Sequence, residues 1–177
     1  MSRDATTRAH GSSAYAPRAL EPIALARAVL EHHRPSIARA LNLLDDERPR
    51  AQASARELLA HLPNPCDCPN AQLLGLTGPP GVVKSSLVAA LISEWRSSNL
   101  RVAVLAVDPS SPKTGGALLG DRLRMRRDFA DEGAFIRSLA NRNTYGGLAP
   151  HVLPMACVML AAFDRVIIET VGVGQRE

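Results

Sequence analysis

Nucleobases would find little to stack on in this chain, because aromatic residues make up only 3% of its 177 positions. The basic excess, a net charge of +4 carried mostly by arginine, is spread along the chain and not gathered beside aromatics. Single-strand binding needs both features together, so no nucleic-acid role is expected. Cysteine is scarce too: Cys66, Cys68 and Cys157 are too few for a disulfide framework or a four-ligand zinc site. Cys66-Asp67-Cys68 lies in the Pro/Asn-rich connector from Pro63 to Asn70 and reads as a surface loop in a reducing cytoplasm. Long apolar runs are also missing. The longest, Met155 to Phe163, holds nine residues, against about 20 for a membrane-spanning helix.

What remains is 46% hydrophobic and 21% charged, which suits one soluble globular domain with a real core. Residues 1–20 carry Arg, Ser and Ala without apolar periodicity or a signal-peptide core, and they read as a flexible N-terminus. Residues 21–65 read as a helical extension. Pro22, Pro35 and Pro49 each suit a first helical turn, where a missing N–H costs nothing. Three apolar sets follow helical spacing: Ile23, Ala26, Val29, Leu30; Ile37, Leu41, Leu44; and Ala55, Leu58, Leu59, Leu62. His32 and His33 close the first helix, where an imidazolium suits the negative end of the dipole.

After the connector the period changes. Strands are expected at 71–77, 101–107, 134–139 and 165–170, and helices at 85–95, 118–129 and 147–162. Such alternation implies an α/β fold with parallel pairing. Between the first strand and the first of these helices stands Gly78-Pro79-Pro80-Gly81-Val82-Val83-Lys84-Ser85-Ser86. It meets the phosphate-loop pattern G-x-x-x-x-G-K-[ST] at Gly78, Lys84 and Ser85, but Val83 stands where the second glycine belongs. In such a loop backbone N–H groups and the following helix N-terminus hold phosphate. Lys84 would reach the β and γ phosphates and Ser85 would ligate Mg²⁺.

Two strand ends carry acids, as ligand binding at the carboxyl edge of a parallel sheet requires. Asp108 follows the second strand, and Glu169 ends the last, ahead of Gly172 and Gln175. A carboxylate there suits Mg²⁺ or its waters, and the glycine lets backbone approach a γ-phosphate. Asp121 follows the glycine-bearing run Lys113 to Gly116 and is either a switch residue or a helix-capping aspartate.

Taken together, LTGPPGVVKSSL, RVAVLAVDPSSPKTGGALLGDRLRM, FIRSLANRNTYGGL and VIIETVGVGQRE closely resemble the MeaB/ArgK family of P-loop GTPases. The resemblance runs from about residue 20 to residue 177 and makes residues 66–177 a partial G domain of the P-loop three-layer fold. It implies a cytoplasmic, homodimeric protein that binds GTP or GDP with Mg²⁺ and serves the adenosylcobalamin-dependent methylmalonyl-CoA mutase. There it would gate cofactor delivery and protect the enzyme. It makes Lys84, Asp121 and Gln175 the catalytic set, Gln175 by orienting water, and Ser85, Asp108, Asp121 and Glu169 the metal side. Two other readings stand beside it: a truncated, non-catalytic mutase-binding module, and a transport-system kinase, for which no residue identifies a phosphate acceptor.

Three departures from the family pattern bear on activity. A left-handed Val83 would cost roughly 1 to 2 kcal/mol, more for a β-branched side chain; in an ordinary conformation its methyls would crowd the phosphate instead. Asn141-Arg142-Asn143 has asparagine where the family has glycine, a milder change. The chain also reaches Glu177 before the family's guanine-reading N-K-x-D segment and its dimerisation helices. The last strand, 165–170, is accordingly expected to lie at an exposed sheet edge, with lower stability than a complete family member.

Overall fold

A computed structural model of the protein describes residues 21–78, 83–108, 131–140 and 151–170. Three helices come first: α1 (Pro22–Leu30), α2 (Arg34–Asp45) and α3 (Pro49–Ala60). Each begins with a proline in its first two positions, as the spacing predicts. A single 3₁₀ turn, Pro65–Asp67, breaks the connector, its first amide held by the Asn64 side chain at 3.0 Å. Then follow β1 (Gln72–Leu76), α4 (Lys84–Ser97), β2 (Val102–Asp108), β3 (Ala134–Ala140), α5 (Val152–Ala162) and β4 (Arg165–Thr170). The helix expected at 118–129 and the first part of the one expected at 147–162 lie outside the described residues, as do residues 1–20.

All four strands run parallel in the order β1-β4-β2-β3. This corrects the expected place of the last strand. β4 lies inside the sheet with Val166, Ile167 and Ile168 buried, whereas β1 holds the edge with Leu73 46% and Leu74 37% exposed. The physical reason is that β4 inserts between β1 and β2, which sequence order does not reveal.

Strand alternation sorts the core into two faces. Val102 and Val104 of β2, Ala134 of β3 and Ile167 of β4 pack with Val88 and Ile92 of α4. Ala103, Leu105 and Val107, with Val166 and Ile168, turn the other way and pack with Met155, Ala156 and Met159 of α5. That second cluster continues into Leu25, Val29, Ile37, Leu41, Leu44 and Leu58, so the helical extension and the sheet share one core through α5. Ile23 and Leu30, expected on the core side of α1, are instead 47% and 40% exposed, and Leu25 takes the buried place.

Polar contacts fasten the end of the sheet where the strands begin. His32 adopts a left-handed φ of 60°, and its Nδ1 lies 2.9 Å from the Ala162 carbonyl. It therefore ties the extension to the end of α5 beyond its place at the close of α1. Arg34 donates to the Ala134 carbonyl at 2.7 Å, with its guanidinium 5.5 Å from the Phe135 ring centre. Arg96 reaches both oxygens of Asp131 at 2.6 and 2.9 Å. That hydrogen bonding, joined by the Gly133 amide, holds the Asp131 carboxyl below the ordinary carboxylate value. At Asp164 burial opposes ionisation. Hydrogen bonds from the Arg101 amide and side chain, with the charges of Arg101 and Arg165, outweigh it and keep that carboxyl low as well.

Candidate functional site

The site is assembled where β1 and β4 end side by side. Leu76 lies opposite Glu169 in the parallel register, and Ala106 of β2 flanks Glu169 on its other side. The chain leaves β1 through Thr77 and Gly78; Gly78 has φ 156°, backbone territory open to glycine at little cost. Pro79, Pro80, Gly81 and Val82 lie outside the described residues. The chain is described again at Val83, which caps the N-terminus of α4.

Val83 has φ 55° and ψ 15°, a left-handed conformation, and it makes no side-chain capping hydrogen bond. Of the two consequences left open by the sequence, the structure selects this one. The cost falls on a β-branched residue that is 69% exposed, so little packing offsets it. α4 nevertheless forms directly behind it. Val88 and Ile92, one turn apart, anchor it to the sheet. Asn99 at φ 58° ends it with the left-handed step that asparagine tolerates.

Lys84 and Ser85 open α4, as the motif spacing requires. The Lys84 ammonium donates to the Gly78 carbonyl at 2.6 Å, so the two ends of the loop are joined by a charge-assisted bond. The Ser85 hydroxyl lies 3.3 Å from Glu169 Oε1, which brings together residues 84 positions apart in sequence. Ser86, next along, is exposed. The Thr170 hydroxyl reaches toward the Leu76 carbonyl at 3.5 Å and links the two strand ends. Sequence reasoning assigned Thr170 no task; its place beside Glu169 in the final motif was the available signal.

Asp108 ends β2, paired in register with Ala140. Its backbone is therefore on the same edge of the sheet, one strand further from the loop than Glu169. Asp121, Gly172 and Gln175 lie outside the described residues. Among the described residues no group of three or more His, Cys, Asp and Glu side chains could hold a metal ion. Ser85 and Glu169 are oxygen donors brought close together, a set that fits Mg²⁺, which binds through one or two carboxylates together with phosphate oxygens and water.

The chain is similar to known proteins over most of its length. The family model described as methylmalonyl-CoA mutase-associated GTPase MeaB matches residues 37–177. GTPase ArgK of Escherichia coli is 41% identical over 153 residues, which is 85% of this chain and 45% of that protein. A fused isobutyryl-CoA mutase of Geobacillus kaustophilus is 44% identical over 106 residues, 58% of this chain and 10% of the mutase. The crystal structure of an LAO/AO transport system kinase superposes with a TM-score of 0.60 at 31% identity, over 86% of this chain and 44% of that one. The chain thus spans a little under half the length of curated relatives such as ArgK. With the loop, the parallel sheet and the family match in agreement, the chain belongs to the MeaB family of mutase-associated P-loop GTPases.

Proposed function

We propose that this chain carries the phosphate- and Mg²⁺-binding part of a GTP-hydrolysing G protein that loads and protects an adenosylcobalamin-dependent acyl-CoA mutase, with methylmalonyl-CoA mutase as its partner. The observation that supports it most is the meeting of Lys84 and Ser85 at the head of α4 with Glu169 at the end of β4. The fusion of a related segment to isobutyryl-CoA mutase supports the choice of partner class.

In this reading the Lys84 ammonium exchanges the Gly78 carbonyl for the β and γ phosphates. The amides at the start of α4 add their partial positive charge to the same place. Ser85 and Glu169 hold the metal side, joined by Asp108 and Asp121. Bound Mg²⁺ supplies neutralisation of the charge shared by the β and γ phosphates. Gly172 approaches the γ-phosphate and Gln175 orients the water that attacks it in line. Catalysis here is positioning and charge neutralisation, with no covalent intermediate on the protein. The G protein works in the cytoplasm, and its family's homodimer would use segments beyond those present in these 177 residues.

A second reading, a mutase-binding module without turnover, is favoured by one observation: the left-handed valine at the loop's glycine position. GTP turnover by the 177-residue chain, with and without added methylmalonyl-CoA mutase, separates the two. The first reading expects phosphate release that disappears in Lys84→Ala. Mutase binding in the absence of any phosphate release would establish the module and overturn the enzyme.

A further inference from the structure

The chain's three cysteines gather about one connector, the stretch between α3 and β1. Cys66 lies within the 3₁₀ turn Pro65–Asp67, and Cys68 closes that turn as its C-terminal cap. Cys157 of α5 lines a cavity together with Asn64 and Pro65, so it adjoins the same turn. All three are free thiols, but their surroundings set them apart. Burial pushes the Cys157 thiol up and keeps it in the protonated form, which does not attack a disulfide. Cys66 is exposed, and Cys68 is half-buried where it lines a second cavity with Asn70, Arg101 and Asp164. Two accessible thiols, one residue apart, thus share an exposed turn.

Backbone geometry puts this pair within reach of a bond and at the same time holds it open. Residues two apart in a 3₁₀ turn have Cα atoms about 5 Å apart, inside the range of about 4.4 to 6.8 Å that disulfides span. Their side chains, however, leave the turn about 120° apart, so closing the bond requires the backbone to yield. What resists is weak and sits on Cys68. Its amide donates to the Pro65 carbonyl at 3.3 Å, and its Sγ lies 3.7 Å from the Asn64 carbonyl. The firmer bonds lie on the other side of the pair: the Cys66 amide donates to Asn64 Oδ1 at 3.0 Å and the Asp67 amide to the Asn64 carbonyl at 2.8 Å. Cys68 can therefore swing while Asn64 keeps Cys66 in place. A disulfide closed over so short a loop is strained, and strained, exposed disulfides are the readily reversed ones.

We propose that Cys66 and Cys68 are a thiol–disulfide exchange site for low-molecular-weight disulfides, with exposed Cys66 reacting first and Cys68 resolving the product. With oxidised glutathione, the Cys66 thiolate attacks one sulfur, the glutathione S–S bond breaks, and a mixed disulfide forms on Cys66. The glutathione thiolate that leaves takes up the proton Cys66 has lost. The Cys68 thiolate then attacks Cys66 Sγ, a Cys66–Cys68 bond forms, and the second glutathione leaves with the proton from Cys68. Two protein thiols are oxidised and one glutathione disulfide is reduced to two thiols. This site stands apart from nucleotide binding, because the connector enters the sheet where β1 begins and the phosphate loop leaves it where β1 ends.

The test incubates the reduced 177-residue chain with oxidised glutathione and follows the intact mass and the cysteine-containing peptides. The chain should lose the two thiol hydrogens of Cys66 and Cys68, accumulate no glutathione, and recover both thiols when dithiothreitol is added. In Cys68→Ser, glutathione should stay on Cys66 at least about 10-fold longer than in the unaltered chain, because no neighbouring thiol resolves it. Cys66→Ser should take up glutathione more slowly, since Cys68 is the less exposed of the two. Amide hydrogen exchange at Cys68 should quicken by about 10-fold on oxidation, as its bond to Pro65 opens. Cys157, still reduced at the end, marks the reacting chain as folded. A lasting glutathione adduct on the unaltered chain, disulfides between chains, no loss of thiols, or oxidation of Cys157 as fast as the pair would overturn the proposal. So would a Cys66–Cys68 disulfide that leaves exchange at Cys68 unchanged, since the turn would then not be what holds the thiols apart.

Discussion

At the scale of single residues, Val83 and Lys84 stand next to each other with opposite effects on the loop between β1 and α4. Lys84 is one of only two lysines among 21 basic residues, and its ammonium is already turned onto the loop at Gly78. Val83 carries the strain that glycine would not. Releasing a left-handed non-glycine residue is worth roughly 1 to 2 kcal/mol, or about 5- to 30-fold in an equilibrium constant. Because the folded chain itself holds Val83 left-handed, Val83→Gly should favour the folded state by about that factor, and denaturant melts giving equal stabilities for the two proteins would refute it. The place of Lys84 and Ser85 at the head of a helix was legible in the sequence because loop motifs are local. The φ of Val83 was not, because both conformations were compatible with the same letters.

At the scale of elements, α4 has a loop end and a fastening end. Its first turn presents Lys84 and Ser85; its last turn sends Arg96 across to Asp131, just ahead of β3. A Cβ at Gly133 would come within 2.2 Å of the Arg96 guanidinium carbon, so a side chain there would push the guanidinium out of the clamp. Because the folded-state pKa of Asp131 lies below its unfolded value, the clamp's stabilisation is complete above the ordinary carboxylate range. It is lost as pH falls through the lowered value. Asp131 is 35% exposed, so the contribution is modest and partly screened by solvent and salt. Asp131→Asn should lower the melting temperature at pH 6 to 7, and the two melting curves should converge as pH falls below the ordinary carboxylate range. Unchanged separation across that range would remove the carboxylate from the account. Nothing in the sequence singled out Asp131, because its partner is 35 residues away and the pair forms only when β3 lies beside β2.

At the scale of the whole molecule, the helical extension and the sheet behave as parts of one core. Leu41 of α2 is fully buried in the same cluster as Val166 and Ile168 of β4, with Met155 and Met159 of α5 between the layers. Truncating such a side chain costs about 2 to 5 kcal/mol. Leu41→Ala should lower the stability of helices and sheet together, in one calorimetric transition. Two separate transitions, with only the helical one displaced, would show the extension to be an independent unit. The parallel alternation of strands and helices was readable from periodicity, and so were the proline starts of α1, α2 and α3. The packing of α1 was read less well. Helical spacing admits both Ile23 and Leu25 to the inner face, and only contact with α2, α3 and α5 selects Leu25.

By itself the sequence determined what is local or periodic: the phosphate-loop pattern at Gly78, Lys84 and Ser85, the acid at the end of a buried strand, the α/β alternation and the family. Only the tertiary structure decided what depends on distant segments meeting. It inserted β4 between β1 and β2, brought Ser85 within 3.3 Å of Glu169, set Val83 at φ 55° and, among the described residues, put β1 and not β4 at one edge of the sheet. Hydrophobic periodicity specifies which face of an element is buried. Strand order and side-chain encounters follow from how those faces share one core, and no single stretch of sequence encodes that.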